Sequence, residues 1–303
     1  MARAPSEPIT IDELPELPRR ADDAHKGSVG RIAVVAGRLD EFGMVGAAAL
    51  VANAAYCTGA GLVQIITPHD VQIAVAALAP CATTRRWPGT SGISLLQAVT
   101  EFGADVVAIG PGLSPAVSDD DLRELLARFE GALVVDADAL NRISGMPLRA
   151  AGAPEGTGVT FAHPAKVILT PHPGEMSRLL KGWSLDAAPQ DRRQSALALS
   201  RATDAVVVLK GAGTVVTDYR RTFINQTGNS GMATAGTGDV LTGVIAALCG
   251  QHMAPFDAAV LGVYLHGLAG DLAAEEIGRL AMTATDLLDF IPDAMGDVER
   301  ESE

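Results

Sequence analysis

Ile32-Ala-Val-Val-Ala36, then Gly46–Thr58, then Leu62–Thr67: these three runs, separated by short breaks, decide the fold. The first is a short, uninterrupted apolar run, the pattern of a strand buried on both faces. The second is rich in Ala and too long for an ordinary strand, so it reads as a small-residue helix. The third is again short and apolar. Strand, helix, strand is the unit from which parallel sheets are built.

The rhythm continues outward from there. A helix is expected over Asp70–Leu78, strands at Val106–Ile109 and Leu133–Val135, and an amphipathic helix near Asp119–Phe129 between those strands. Strand Val167–Leu169, helix Arg192–Arg201 and strand Val206–Leu209 follow. Thr214–Thr217 and Thr222–Asn225 lie close enough together to form a hairpin appended to the sheet. The last third is helical, at Asp239–Leu248, Asp257–Glu276 and Ala284–Phe290. On the other side, Pro5, Pro8, Pro15 and Pro18 make residues 1–26 an extended lead-in. Gly145–Ala165, with Pro147, Gly152, Pro154, Gly156 and Gly158, reads as a surface excursion and has no assigned role. The expectation is one α/β domain over residues 27–303, with a mainly parallel central sheet, helices on both faces and a small antiparallel extension.

Composition agrees. The chain has 303 residues, 48% of them hydrophobic but only 4% aromatic, with 32 glycines, so its core is aliphatic and its turns can be tight. A formal charge of −13 and the lack of a basic run argue against a nucleic-acid partner and against anionic membranes. An anionic ligand must therefore be met locally, by amides, a lysine or a metal ion. Three widely spaced cysteines fit neither a disulfide framework nor a zinc site. No secretory signal or membrane-spanning run is read, and a cytoplasmic location is expected.

The chemistry clusters just after strands. Gly110-Pro-Gly112, Asp136-Ala-Asp138, Thr170-Pro-His-Pro-Gly-Glu175 and Lys210-Gly-Ala-Gly-Thr214 each follow one, where open parallel sheets bind ligands. Any one alone is ordinary turn chemistry; four on one edge suggest a site. The strongest segment is Gly228-Asn-Ser-Gly-Met-Ala-Thr-Ala-Gly-Thr-Gly-Asp239-Val-Leu-Thr-Gly243, a glycine-rich loop running into an apolar helix. Unpaired N–H groups of the first helical turn make an anion site suited to a transferring phosphate. Asp239 could merely favour the helix start. Inside a phosphate loop, where a carboxylate repels the ligand, a general base that deprotonates an attacking hydroxyl is the better reading. There is no Gly-x-x-x-x-Gly-Lys-Ser/Thr, no Gly-x-Gly-x-x-Gly after the first strand, no Gly-x-Ser-x-Gly and no His-Glu-x-x-His, which sets aside P-loop, Rossmann, serine-hydrolase and zincin readings.

The Gly-Thr-Gly-Asp239 loop resembles the phosphate loop and catalytic aspartate of ribokinase-like kinases. The fuller set is narrower. His25-Lys-Gly-Ser-Val-Gly30, Gly46-Ala-Ala48, Gly110-Pro-Gly-Leu113, Asp136-Ala-Asp-Ala-Leu-Asn141, His172-Pro-Gly-Glu175 and Asn229–Asp239 occur in order, and that order resembles the ADP-dependent NAD(P)H-hydrate dehydratases over about residues 25 to 290. The resemblance implies that Ala47, Gly112, His172 and Asp239 contact hydrated NADH or NADPH. It places Lys210, Gly211, Ala212, Gly213, Thr214 and Gly238 on the adenine nucleotide, ADP, and Glu175 near Mg²⁺. It implies a homotetramer and a functional link to an epimerase that many relatives carry on the N-terminal side and that is expected to be a separate protein here. Taken alone, His172 reads as a turn histidine, Lys210 as a solvated strand end and Glu175 as a helix-start acid. Two rivals remain at this stage: a kinase acting on a sugar or vitamin-precursor alcohol, and a non-catalytic nucleotide sensor.

Overall fold

The strand β2 (Arg31–Val35) alternates between two cores, and this alternation organises the molecule. Ile32 and Val34 face one hydrophobic cluster, Ala33 and Val35 the other. The computed structural model describes residues 9–10, 13–41, 43–89, 92–149, 158–186 and 191–302. Within them a sheet runs in the order β1-β10-β9-β8-β7-β6-β5-β2-β3-β4. Its other strands are β1 (Ile9–Thr10), β3 (Leu62–Thr67), β4 (Thr83–Arg86), β5 (Val106–Ile109), β6 (Ala132–Val135), β7 (Val167–Leu169), β8 (Val206–Leu209), β9 (Val215–Thr217) and β10 (Arg221–Ile224). Only β9 runs against its neighbours, so the expected hairpin extends an otherwise parallel sheet. Ile9 and Thr10, inside the lead-in, pair in parallel with Arg221 and Thr222.

One face is covered by α1 (Val45–Cys57), α2 (His69–Leu78), α8 (Thr237–Gly250), α9 (Pro255–Ile277) and α10 (Ala284–Ser302). The other is covered by α3 (Leu95–Phe102), α4 (Asp119–Arg128), α5 (Ala137–Ile143), α6 (Pro173–Gly182) and α7 (Arg192–Thr203). The glycine-rich composition has a packing reason at α1 and α8. A Cβ on Gly243 would lie 2.2 Å from the Val51 carbonyl oxygen and 2.7 Å from the Ala54 Cβ, so the two helices touch backbone to backbone. In consequence α8 is buried along most of its length beneath β2, β5 and β6.

Among the described residues, β1, β4, α3, α5 and α6 have no counterpart in the sequence pattern. β4 is Thr-Thr-Arg-Arg, a polar edge strand with no apolar run to mark it. α10 runs on past Phe290 and through Pro292, because Leu287, Ile291, Ala294 and Val298 stay on one buried face. The Gly145–Ala165 excursion lies partly outside the described residues. Its described flanks return to the body, where Leu148 bridges Val159, and Val159 and Phe161 are buried.

Candidate active site at the carboxyl edge of the sheet

The segments after the strands are stitched side by side. The Gly110 N–H donates to the Val35 carbonyl at 3.2 Å, Asp136 N–H to Ile109 at 3.0 Å, Thr170 N–H to Val135 at 3.1 Å, and Lys210 N–H to Pro171 at 2.9 Å. All four expected segments therefore share one edge, next to the point where strand order reverses around β2.

Lys210 leaves the end of β8 and points inward. Its ammonium lies 2.5 Å from Asp136 Oδ1, and the other oxygen, Oδ2, accepts from Thr242 Oγ1 at 2.8 Å. A Cβ on Gly238 would lie 3.4 Å from the Lys210 Nζ, so the ammonium sits against the first turn of α8. Burial opposes its charge, but Asp136 and then Glu175 outweigh that and move its pKa upward. Lys210 is thus no solvated strand end.

Asp239 is the third residue of α8, after Gly236, which holds φ +92° at the helix start. Burial, joined by the charge of Asp136 and then Asp138 and opposed by Lys210, pushes its carboxyl up to about 7. No hydrogen bond to that carboxylate is found among the described residues. A carboxylate in this state is near the pH at which a general base works best.

His172 caps α6. Its Nδ1 accepts from the Gly174 N–H at 2.9 Å and from the Glu175 N–H at 3.4 Å, while Glu175 Oε2 accepts the His172 N–H at 2.8 Å. This reciprocal capping box uses His172 where Ser or Thr is usual. Half of the imidazole remains exposed at the edge, and Glu175 is buried, with its pKa raised chiefly by that burial. Gly112 holds φ +58°, and a Cβ there would meet Met44 Cβ at 2.8 Å and Ala47 Cβ at 3.7 Å. Gly112 and Ala47 thus meet at the start of α1. Gly211 (φ +134°) and Gly213 (φ +62°) shape the turn from β8 to β9, with Thr214 Oγ1 bonded to the Gly211 carbonyl at 2.9 Å. The Arg192 guanidinium holds that turn from outside, through the carbonyls of Leu209, Lys210 and Ala212.

The glycine loop rests on α9. Asp271 accepts from the Gly228 N–H at 2.7 Å and from Asn229 Nδ2 at 2.9 Å, and His266 Nε2 lies 2.9 Å from the Thr237 carbonyl. Burial holds the His266 pKa down to about 4, so its Nε2–H donates as a neutral ring. Asp136, Thr242, Arg192, His266 and Asp271 carried no assigned role in the sequence reading. A polar residue on the inward face of an apolar helix was the available signal for Thr242, which is buried, and for His266 and Asp271, which are half-buried. A cleft of about 470 Å³ lies elsewhere, between Leu14 and Phe256, but its Arg221 is already paired with Asp218 and Asp257.

A sequence profile described as NAD(P)H-hydrate dehydratase matches residues 32–293. The chain belongs to that family. It is 44% identical over 298 residues to the bifunctional NAD(P)H-hydrate repair enzyme Nnr of Moorella thermoacetica, covering 95% of this chain and 53% of that protein. The chain spans about half the length of the curated relatives it matches. Among solved structures, it is similar to the ADP/ATP-dependent NAD(P)H-hydrate dehydratase of Bacillus subtilis co-crystallised with ATP/Mg²⁺, at 29% identity and TM-score 0.72, covering 93% of this chain and 95% of that one. It is also similar to a ribokinase-like superfamily protein of Enterococcus faecalis, at 29% identity and TM-score 0.77, covering 93% and 92%. The family's fold is the ribokinase-like one expected. Among the described residues no helix is long and apolar enough to cross a membrane.

Proposed function

We propose that this chain returns the S-epimer of hydrated NADH or NADPH to NAD(P)H, using ADP as phosphoryl donor and releasing AMP and phosphate. The observation that carries the reading is Asp239: a carboxylate with no hydrogen bond among the described residues, pushed up to about 7, at the amide-rich start of α8 and beside Lys210. Asp239 takes the proton from the C6 hydroxyl as that oxygen attacks the terminal phosphoryl group. The N–H groups of the first turn of α8, which have no intrahelical partner, and the Lys210 ammonium meet the spreading negative charge. The ring nitrogen then expels phosphate, and loss of the C5 proton restores the dihydropyridine.

Mg²⁺ ordinarily takes one or two carboxylates plus substrate phosphates. No group of three acids, histidines or cysteines converges to hold an ion among the described residues, which fits a cation carried largely by the nucleotide. Glu175 would share in holding it through Oε1, the oxygen that does not accept the His172 backbone N–H and that lies 3.4 Å from His172 Nε2, and the ion would neutralise phosphate charge. His172, Ala47 and Gly112 form the dinucleotide side, and the Lys210–Thr214 turn with Gly238 the nucleotide side. A homotetramer and a separate partner epimerase for the R-epimer complete the proposal.

The test is a mass balance. Hydrated NADH with ADP or ATP and Mg²⁺ should give equal amounts of restored NADH and free phosphate, with AMP from ADP. A stable phosphorylated product without phosphate release, formed quickly from a vitamin-precursor alcohol while the hydrate goes untouched, would replace this reading with the kinase one.

A further inference from the structure

Asp136 has no part in the chemistry above, yet the fold constrains it on every side. It is 1% exposed and stands at the N-cap of α5, where an aspartate ordinarily accepts from the helix's own N–H groups. Asp136 makes no such bond. Its two oxygens are diverted instead to Lys210 Nζ at 2.5 Å and Thr242 Oγ1 at 2.8 Å, residues far along the chain. The backbone is bent to allow this. Ala137 adopts φ +47°, a strained conformation for a residue with a side chain, and α5 starts at once after β6. Next to it, a Cβ on Gly110 would lie 1.8 Å from the Asp136 carbonyl oxygen, so only glycine fits there. A diverted cap, a strained neighbour and an obligatory glycine all converge on the placement of one carboxylate.

We propose that Asp136 is a positioning residue for nucleotide binding, which pins the Lys210 ammonium against the Gly238 peptide at the mouth of the glycine loop while Thr242 locks its second oxygen. This rests on the reading of that loop as the phosphate site. A lysine side chain is a flexible point charge, and ordering it costs rotamer entropy at every binding event unless it is held beforehand. The alternative carboxylates within its electrostatic reach are Glu175 and Asp239. Pairing with Asp239 would stabilise its ionised form, lower its pKa and so weaken the proposed base. Asp136 therefore keeps the ammonium available to an anion and away from the acid whose basicity the proposed reaction needs.

The experiment is a double-mutant cycle on ADP affinity, measured by calorimetry without dinucleotide, in wild type, K210M, D136N and K210M/D136N. If Asp136 acts through Lys210, D136N weakens ADP about tenfold in the wild-type background and less than about twofold once Lys210 is gone. The double variant, which buries neither charge, should melt above either single variant while staying weak for ADP. Thr242→Val, which leaves both charges in place, gives the same test if D136N folds poorly: several-fold weaker ADP with Lys210 present, and no effect in K210M. Equal losses from D136N in both backgrounds, or an unchanged ADP affinity in D136N and T242V, overturn the inference. A wild-type protein that binds neither ADP nor ATP would overturn the phosphate-site reading and this inference with it, whereas additive losses in a protein that binds ADP sink this inference alone.

Discussion

Asp136 and Asp239 occupy the same edge of the sheet, each next to a helix start and each within reach of one lysine. Asp136 has both oxygens engaged, while no hydrogen bond reaches the Asp239 carboxylate among the described residues. The contrast separates two uses of a carboxylate, one buried at Asp136 and one half-buried at Asp239. Fully bonded, it holds other groups in place. Unbonded and desolvated beside like charge, it is poised to take a proton. Which acid is free to do the proposed chemistry thus follows from partners contributed by distant parts of the chain.

Removing the unbonded acid should have the largest effect. Asp239→Asn is expected to lower turnover about 10²–10⁴-fold, the range for loss of a general base, with nucleotide affinity kept or slightly improved. Near wild-type turnover would reduce Asp239 to a helix-start acid. The same variant has a stability signature. The carboxyl rises from 3.8 when unperturbed to about 7 in the fold. Across that window the folded protein holds a proton that the unfolded chain releases, so stability falls as pH rises and is lowest above it. Asp239→Asn should therefore raise the melting temperature more at pH 8 than at pH 4, and an equal change at both would contradict the sign.

Breaking the bonded acid comes next. Gly110→Ala drives a methyl into the Asp136 carbonyl and should cost about 3 kcal/mol of stability in denaturant titration, with ADP affinity lost alongside. A variant as stable as wild type would show that the Asp136 backbone can move freely. The pH profile sharpens the comparison without mutation. Activity should fall about tenfold per pH unit below about 7, and a profile flat down to pH 5 would mean that Asp239 is ionised in the working enzyme. The smallest effect is expected at the rim. His172→Ala removes the α6 cap, worth about 1 kcal/mol, and should weaken the hydrated dinucleotide more than ADP, whereas Lys210→Ala should do the reverse. Equal losses for both ligands in both variants would leave these residues as loop supports only.

Periodicity located the buried strands well. Leu62–Thr67, Val106–Ile109, Val167–Leu169 and Val206–Leu209 fall where the apolar runs place them, because a strand covered on both faces needs apolar residues throughout. It missed β4, whose residues are polar because the strand lies at an edge, and α5 and α6, whose first turns coincide with the motifs quoted for chemistry. The glycine loop and Asp239 were legible as local pattern. The Asp136–Lys210–Thr242 connection was not, since its members are 74 and 106 positions apart and each looks ordinary among its neighbours. Likewise the capping role of His172 depends on a ring rotamer that residue order does not determine.

The burial of α8 bears on how the chain is made. The inner faces of β2, β5 and β6, with Ile32, Val34, Val106, Ala108 and Val134, are covered by a helix whose first residue is Thr237. During synthesis those strands emerge long before their cover, and an exposed apolar sheet face invites misassociation. The same helix carries the glycine loop, the proposed phosphate site, at its start. Completing the core and completing the site are therefore one late event, and a nascent chain halted before α8 would carry neither a sealed sheet nor a working edge.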